Sequence, residues 1–182
     1  TGAGGSIGSE LVKQCLGFDP DLLILFDQSE NNLFHVDNLC SQYGSTTGIQ
    51  PILGDIRDKK ILDSVFNSFK PHVVLHAAAY KHVPMQELNP WEAVNTNIQG
   101  TINLVEASEV HNIERFVLVS TDKAVNPTNV MGVTKRIAEQ IIQAKSIDTK
   151  VKYMAVRFGN VIGSSGSVIP TFPEQIRNGG PV

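Results

Sequence analysis

Short apolar runs recur along the chain, each followed by a polar or glycine-containing turn and then by a stretch with helical spacing. Leu22-Leu23-Ile24-Leu25-Phe26, Ile49–Leu53, His72-Val73-Val74-Leu75-His76, Phe116-Val117-Leu118-Val119 and Lys152–Phe158 read as strands. Helices are predicted up to about Leu16, over Ser29–Tyr43 and over Lys59–Phe69. A long helix opens at Pro90, where Val94, Ile98, Ile102 and Val105 step by four, four and three, interrupted by Asn95, Asn97 and Asn103. Another runs from Met131 through Ile137, Ile141 and Ala144. Gly159–Val168 is too rich in glycine and serine to read as regular structure. Strands alternating with helices, without internal repeats, predict an α/β fold built on a doubly wound parallel sheet.

Composition narrows the picture a little. At 182 residues, with 41% apolar and 18% charged residues, the chain reads as one soluble globular domain. A net charge of −3 gives no electrostatic reason to expect nucleic acid or an anionic membrane as a partner. The two cysteines, Cys15 and Cys40, fall in predicted helices and read as reduced, buried thiols of a cytoplasmic protein. No apolar run has the length of a membrane span, so no membrane contact is expected from this segment. Thr1 stands where a first strand should already have passed, and Asn178–Val182 reads as a turn leading onward. The chain is therefore expected to be a window on a longer protein, whose first strand, and any membrane anchor, lie outside it.

The turns after the strands carry the candidate chemistry. Thr1-Gly2-Ala3-Gly4-Gly5-Ser6-Ile7-Gly8 fits T-G-x-x-G-x-x-G, a loop that brings a pyrophosphate against backbone amides and a helix N-terminus. Asp27 follows about twenty residues later, where an acidic side chain hydrogen-bonds a ribose 2′-hydroxyl. With no arginine in Gln28-Ser29-Glu30 to meet a 2′-phosphate, NAD is favoured over NADP; a helix N-cap role for Asp27 fits the same position. In Gly54-Asp55-Ile56-Arg57, Asp55 would lie beside an adenine or would cap the next helix, and Ile56 goes with it. Ala77, Ala78 and Ala79, small residues at a strand tip, let a cofactor pass closely. His72 and His76 lie on a strand, about 13 Å apart, and cannot share a metal; no other cluster has ligand spacing, so no metal is expected. Thr121, Asp122 and Lys123 stand side by side at the C-terminal tip of a strand, the edge where open α/β sheets bind ligands. Met131 and Lys135, four apart, share a helix face.

Together these motifs, with Asn97-x-x-Gly100-Thr101 and Arg157-Phe158-Gly159-Asn160-Val161-Ile162-Gly163, resemble the extended short-chain dehydrogenase/reductases. More narrowly, nearly the whole chain resembles the capsular-polysaccharide-type nucleotide-sugar 4,6-dehydratases. The resemblance implies a Rossmann-like domain with most of a smaller C-terminal substrate lobe outside the window. It implies UDP-N-acetylglucosamine as substrate: NAD takes hydride from C4, the C5 proton and C6 hydroxyl leave, and hydride returns to C6. By the same resemblance Asp122 is the acid for C6 and Lys123 the C5 base, its charge lowered by desolvation or by the neighbouring Lys135. Thr121 orients the sugar, Lys135 bonds the nicotinamide ribose, and Asn97 supports that lysine. Asn160 with Ser167 and Val168 would meet the UDP diphosphate, and Lys81 and His82 would touch substrate. A homo-oligomer is implied, through helices such as Pro90–His111 and Met131–Ser146. Met131 replaces the tyrosine of Y-x-x-x-K, and a thioether cannot take the C4 hydroxyl proton, so another group, with Asp122 first in line, must do so.

Two other readings use the same residues. A 4-epimerase or reductase needs the tyrosine and has no use for an Asp-Lys pair. A silent NAD-binding module has no chemical reason to keep Asp122, Lys123 and Lys135 together.

Overall fold

The computed structural model describes residues 1–147, 149–161 and 168–181. The elements in order are α1 (Ser6–Leu16), β1 (Leu22–Asp27), α2 (Glu30–Gln42), β2 (Gly48–Leu53), α3 (Lys59–Phe69) and β3 (Val73–His76). Then come α4 (Val83–Leu88), α5 (Pro90–Ala93), a π-helical segment (Val94–Gln99), α6 (Gly100–Val110), β4 (Arg115–Thr121), a 3₁₀ turn (Asp122–Ala124), α7 (Val130–Lys145), β5 (Lys152–Phe158) and α8 (Val168–Arg177).

Every strand pairing is parallel: β1 with β2, and β4 between β3 and β5. Thr1–Ala3 joins the two groups. The Thr1 amino nitrogen donates to Leu75 O (2.8 Å), Ala77 N to Thr1 O (3.1 Å), and Ala3 N to Phe26 O (3.2 Å). The start of the glycine loop therefore lies between β1 and β3, at their C-terminal ends.

Both faces of this sheet are covered, as parallel strands require. Along β1 the side chains alternate: Leu23 and Leu25 pack with Val12, Leu16, Leu33 and Val36 of α1 and α2, whereas Ile24 and Phe26 join the opposite cluster. That larger cluster holds Leu62 and Phe66 of α3, Leu104 and Val105 of α6, Ala138 and Ile142 of α7, and Phe116 and Leu118 of β4. The doubly wound parallel fold and all five strands are as the apolar pattern predicts.

The helices depart from it in three places. The long helix from Pro90 is divided, because the wider turn of Val94–Gln99 shifts its register; four-residue spacing of apolar side chains looks the same on either side of such a turn. The six-residue α4, with Pro84 in its first turn, is too short to show a period. Val168, read as irregular, opens α8.

Phe116 is fully buried and in edge-to-face contact with His76, whereas Phe18 is 85% exposed. Phe116→Ala should cost about 3–5 kcal/mol and Phe18→Ala within about 0.5 kcal/mol, measured by urea denaturation; equal costs would contradict this core assignment.

Candidate active site

A cavity of about 170 Å³ opens at the C-terminal ends of β1 and β3, lined by Gly2, Gly5, Phe26, Asp27, Gln28, Asn32, Gly54, Ile56, Ala77, Ala78, Ala79 and Thr96. Its floor is the glycine loop. Gly2 has φ +68° and lies against the Ala77–Ala78 backbone. A Cβ on Gly8 would sit 1.8 Å from Gly2 O, so only glycine lets α1 start this close to the loop. Ser6, Ile7 and Gly8 form the first turn of α1 and direct its amide end toward the loop. Asp27 is buried; Oδ2 accepts from Gly4 N (2.9 Å) and Oδ1 from Ser29 N (2.9 Å). Its carboxylate thus ties the loop to the tip of β1 while lining the cavity. The cap of α2 is Ser29 rather than Asp27.

Asp55 does not fill the capping role predicted for it. Asp58 caps α3, with Oδ1 accepting from Lys60 N (2.9 Å). The Asp55 carboxylate is taken by Arg57, from its backbone N (2.8 Å), Nε (2.8 Å) and Nη2 (2.6 Å), and does not line the cavity. Ile56 does.

A second signal missed in the sequence is Thr96. Its hydroxyl is buried at the cavity wall with no hydrogen-bond partner. A buried hydroxyl left unpaired is costly, and a polar ligand in the cavity would satisfy it. The tight glycine loop, the helix end, the carboxylate on the β1 tip and this hydroxyl fit a dinucleotide.

Behind the cavity a buried polar chain connects the loop to α7. Thr101 donates its hydroxyl proton to Asn97 O (2.6 Å), so His76 Nε2 must donate to Thr101 Oγ1 (3.0 Å) and Nδ1 accept from Thr1 Oγ1 (2.8 Å). Burial, with the nearby Lys135 charge, holds this imidazole neutral, well below the ordinary histidine pKa. Asn97, buried in the π-helical segment, accepts from Tyr80 N (2.9 Å) and donates to Tyr80 O (3.1 Å) and Thr134 Oγ1 (3.0 Å). Asn97 therefore reaches the neighbour of Lys135, not Lys135 itself.

Thr121, Asp122 and Lys123 turn off the tip of β4. The Thr121 hydroxyl donates to Asp122 Oδ1 (2.9 Å), and Lys123 Nζ reaches both Asp122 Oδ1 (3.2 Å) and Asn160 Oδ1 (3.4 Å) beyond β5. The Thr121 hydroxyl, followed by Lys123, holds the Asp122 carboxyl below the usual carboxylate range. The next helix comes in tightly: a Cβ on Gly132 would lie 2.6 Å from Lys123 O. Asn129 Oδ1 caps α7 at Gly132 N (2.8 Å), and Glu87 of α4 accepts from Val130 N (2.7 Å).

On α7, Met131 and Lys135 are both buried. Lys135 Nζ donates to Val119 O of β4 (2.6 Å), and burial pulls its pKa down to about 8, Glu139 opposing. The desolvation expected at Lys123 is found at Lys135 instead; the Lys123 side chain is 38% exposed and ion-paired. Lys81 and His82 are exposed residues just ahead of α4, outside the cavity lining. Val168 starts α8, and Ser167 lies outside the described residues. Among the described residues no group of three His, Cys, Asp or Glu could hold a metal, and no helix is long and apolar enough to cross a membrane.

The model of a family described as polysaccharide biosynthesis protein matches residues 1–182. The chain belongs to that family. It is 51% identical to the capsular polysaccharide biosynthesis protein CapD of Staphylococcus aureus, over all of this chain and 31% of that protein. It is 34% identical to a UDP-N-acetylglucosamine 4,6-dehydratase (inverting) of Campylobacter jejuni, over 98% of this chain and 53% of the relative. Among solved structures it is similar to Pen from Bacillus thuringiensis, with TM-score 0.88 and 36% identity, covering 97% of this chain and 54% of that one. The chain thus spans between 31% and 54% of these relatives' lengths. The chain also shares the fold of a dTDP-glucose 4,6-dehydratase (DesIV double mutant) from Streptomyces venezuelae, with TM-score 0.83 and 23% identity over all of this chain and 62% of that one.

Two outcomes follow from this geometry. Thr96→Val removes an unpaired buried hydroxyl, so stability should hold or rise by about 1 kcal/mol while dinucleotide affinity falls about tenfold, read by thermal unfolding and by cofactor titration. Glu139, buried against two arginines, has its pKa held down to about 2 against an ordinary 4.5; burial alone would raise it, and Arg157, Ser120 and Arg136 together outweigh that. The folded state keeps this carboxylate ionised further into acid than the unfolded chain, so its stabilisation is full above about pH 4.5. On the order of 3 kcal/mol should be lost between there and pH 2 in urea titrations, and Glu139→Gln should flatten that stretch of the curve.

Proposed function

We propose that the protein is an NAD-dependent nucleotide-sugar 4,6-dehydratase that converts UDP-N-acetylglucosamine to the UDP-4-keto-6-deoxy sugar. The observation that carries this reading is the Thr121–Asp122–Lys123 turn, a carboxylate and an amine paired at 3.2 Å on the ligand-binding edge of the sheet beside the cavity-forming strands. Family membership and the 34% identity to a dehydratase of that substrate support it.

NAD, held by the glycine loop, Asp27, Ala77–Ala79 and Thr96, would supply a hydride sink for C4 and return the same hydride to C6. The chain's own groups move the protons. Asp122 starts ionised, so it can accept the C4 hydroxyl proton that Met131, a thioether, cannot. The same proton then goes to the departing C6 hydroxyl, which leaves as water. Lys123 in its neutral form takes the C5 proton and later gives it back. The count closes with loss of one water and no net change at Asp122 or Lys123. Thr121, already bonded to Asp122, orients the carboxyl and the sugar. Lys135, as a cation, bonds the nicotinamide ribose. Asn160, which shares Lys123, together with Lys81, His82, Ser167 and Val168, would meet the substrate. An epimerase reading on this fold has to do without the tyrosine and leaves the Asp122–Lys123 pair without a task.

Lys123→Ala should abolish turnover of UDP-N-acetylglucosamine, by at least about a thousandfold, with NAD still bound. A variant that turns over normally would rule out the assigned base. Because the Lys135 pKa lies near 8, its cation is lost as pH rises through that value, and turnover should fall along an alkaline limb centred there.

A further inference from the structure

One buried carboxylate ties α7 to the ends of β4 and β5, beside the residues that carry the proposed chemistry. Glu139 sits one turn beyond Lys135 on α7, with its side chain 7% exposed. Its Oε1 accepts from the hydroxyl of Ser120 (2.6 Å), the β4 residue immediately before Thr121. Arg157 of β5 grips it through two bonds, Nε to Oε1 (2.8 Å) and Nη2 to Oε2 (2.6 Å), and Arg136 adds a second cation at 3.3 Å. Three residues after Arg157 comes Asn160, which accepts from Lys123 Nζ. A helix and two strand tips thus meet on two oxygen atoms, while Thr121, Asp122, Lys123, Lys135 and Asn160 all lie within four residues of a group bonded to them. Bidentate Arg–carboxylate pairs fix direction as well as distance, and here the carboxylate is buried with both oxygens satisfied while the arginines are 40% exposed.

We propose that Glu139 is a positioning residue for the proton transfers: through Ser120 and Arg157 it sets the β4 and β5 tips against the Lys135-bearing helix, and its negative charge, one helical turn away, acts on Lys135. The proposal rests on the dehydratase reading for its effect on turnover. Its effect on Lys135 stands apart from that reading. Lys135 meets the Val119 carbonyl from β4 and the neutral ring of His76 on β3, and Glu139 is the anion acting on it among the described residues. Arg157 and Arg136 are themselves held by Glu139, so losing its charge both removes the anion and frees two cations.

The test uses the full-length natural protein and two variants. Glu139→Gln keeps the shape and removes the charge; Ser120→Ala removes only the bond to β4 and keeps Glu139 paired with its arginines. Lys135 is titrated by isotope-edited NMR of its side-chain amine, assigned with Lys135→Arg, and turnover of UDP-N-acetylglucosamine is followed against pH with NAD affinity alongside. For Glu139→Gln the Lys135 midpoint should move to lower pH by about half a unit or more, and the alkaline limb of kcat should move with it. Its kcat should drop at least about tenfold with NAD affinity kept, the sign of lost geometry rather than lost binding. For Ser120→Ala, kcat should fall several-fold without a shift of the Lys135 midpoint. A wild-type protein that does not turn over the sugar would defeat the dehydratase reading, and the Lys135 titration would still decide the electrostatic half of the proposal. Folded variants with an unmoved Lys135 midpoint and wild-type kcat would overturn it. Should Glu139→Gln not fold, a wild-type kcat in Ser120→Ala would overturn the positioning role.

Discussion

Parallel pairing is the constraint from which the rest of the structure follows. Because all five strands run the same way, every carboxyl end opens on one edge. Each connection must cross back through a helix, which covers both faces and leaves that edge as the open one. The glycine loop, Asp27, Ala77–Ala79, the Thr121–Asp122–Lys123 turn and Asn160 are all strand-end residues, brought together from distant parts of the chain by that single condition. The helices then add depth: α7 carries Lys135 under β4, and the π-helical segment turns Asn97 and Thr96 toward Tyr80 and the cavity.

Much of this was legible in the residues. Strands buried on both faces announce themselves as apolar runs, so all five were placed to within a residue or two, and with them the turns at their tips. Gly2, Gly8, Asp27, Ile56, Ala77–Ala79, Asp122 and Lys123 follow from position alone. What was not legible depends on where side chains point. Asp55 and Asp58 are both acceptable caps in sequence, and only the bond geometry of Arg57 decides between them. Thr96 sits in a helical stretch with no motif around it, and its significance lies in an absent partner. Burial at Lys135 instead of Lys123 is set by how α7 lies on β4, made possible by Gly132, whose missing side chain lets the helix approach Lys123 O. Glu139 looks like an ordinary helix-surface acid until Arg157, eighteen positions on, is seen to fold back over it.

The replacement of a tyrosine by Met131 gives the site its character. A buried thioether packs well and holds α7 in place, yet it offers no proton chemistry. On the proposed dehydratase reading, that leaves Asp122 with two tasks, the C4 proton and the C6 hydroxyl. Burial lowers the Lys135 pKa, with Glu139 opposing, while the Thr121 hydroxyl and then Lys123 hold the Asp122 carboxyl ionised.

The central claim is dehydration with hydride returned within one turnover, and it is tested most directly by incubating the full-length protein with UDP-N-acetylglucosamine and a catalytic amount of NAD in deuterated water, following the sugar by NMR. The account predicts a 4-keto-6-deoxy product carrying deuterium at C5, with no accumulation of NADH. Unchanged sugar, or a product altered only in configuration at C4, would contradict it.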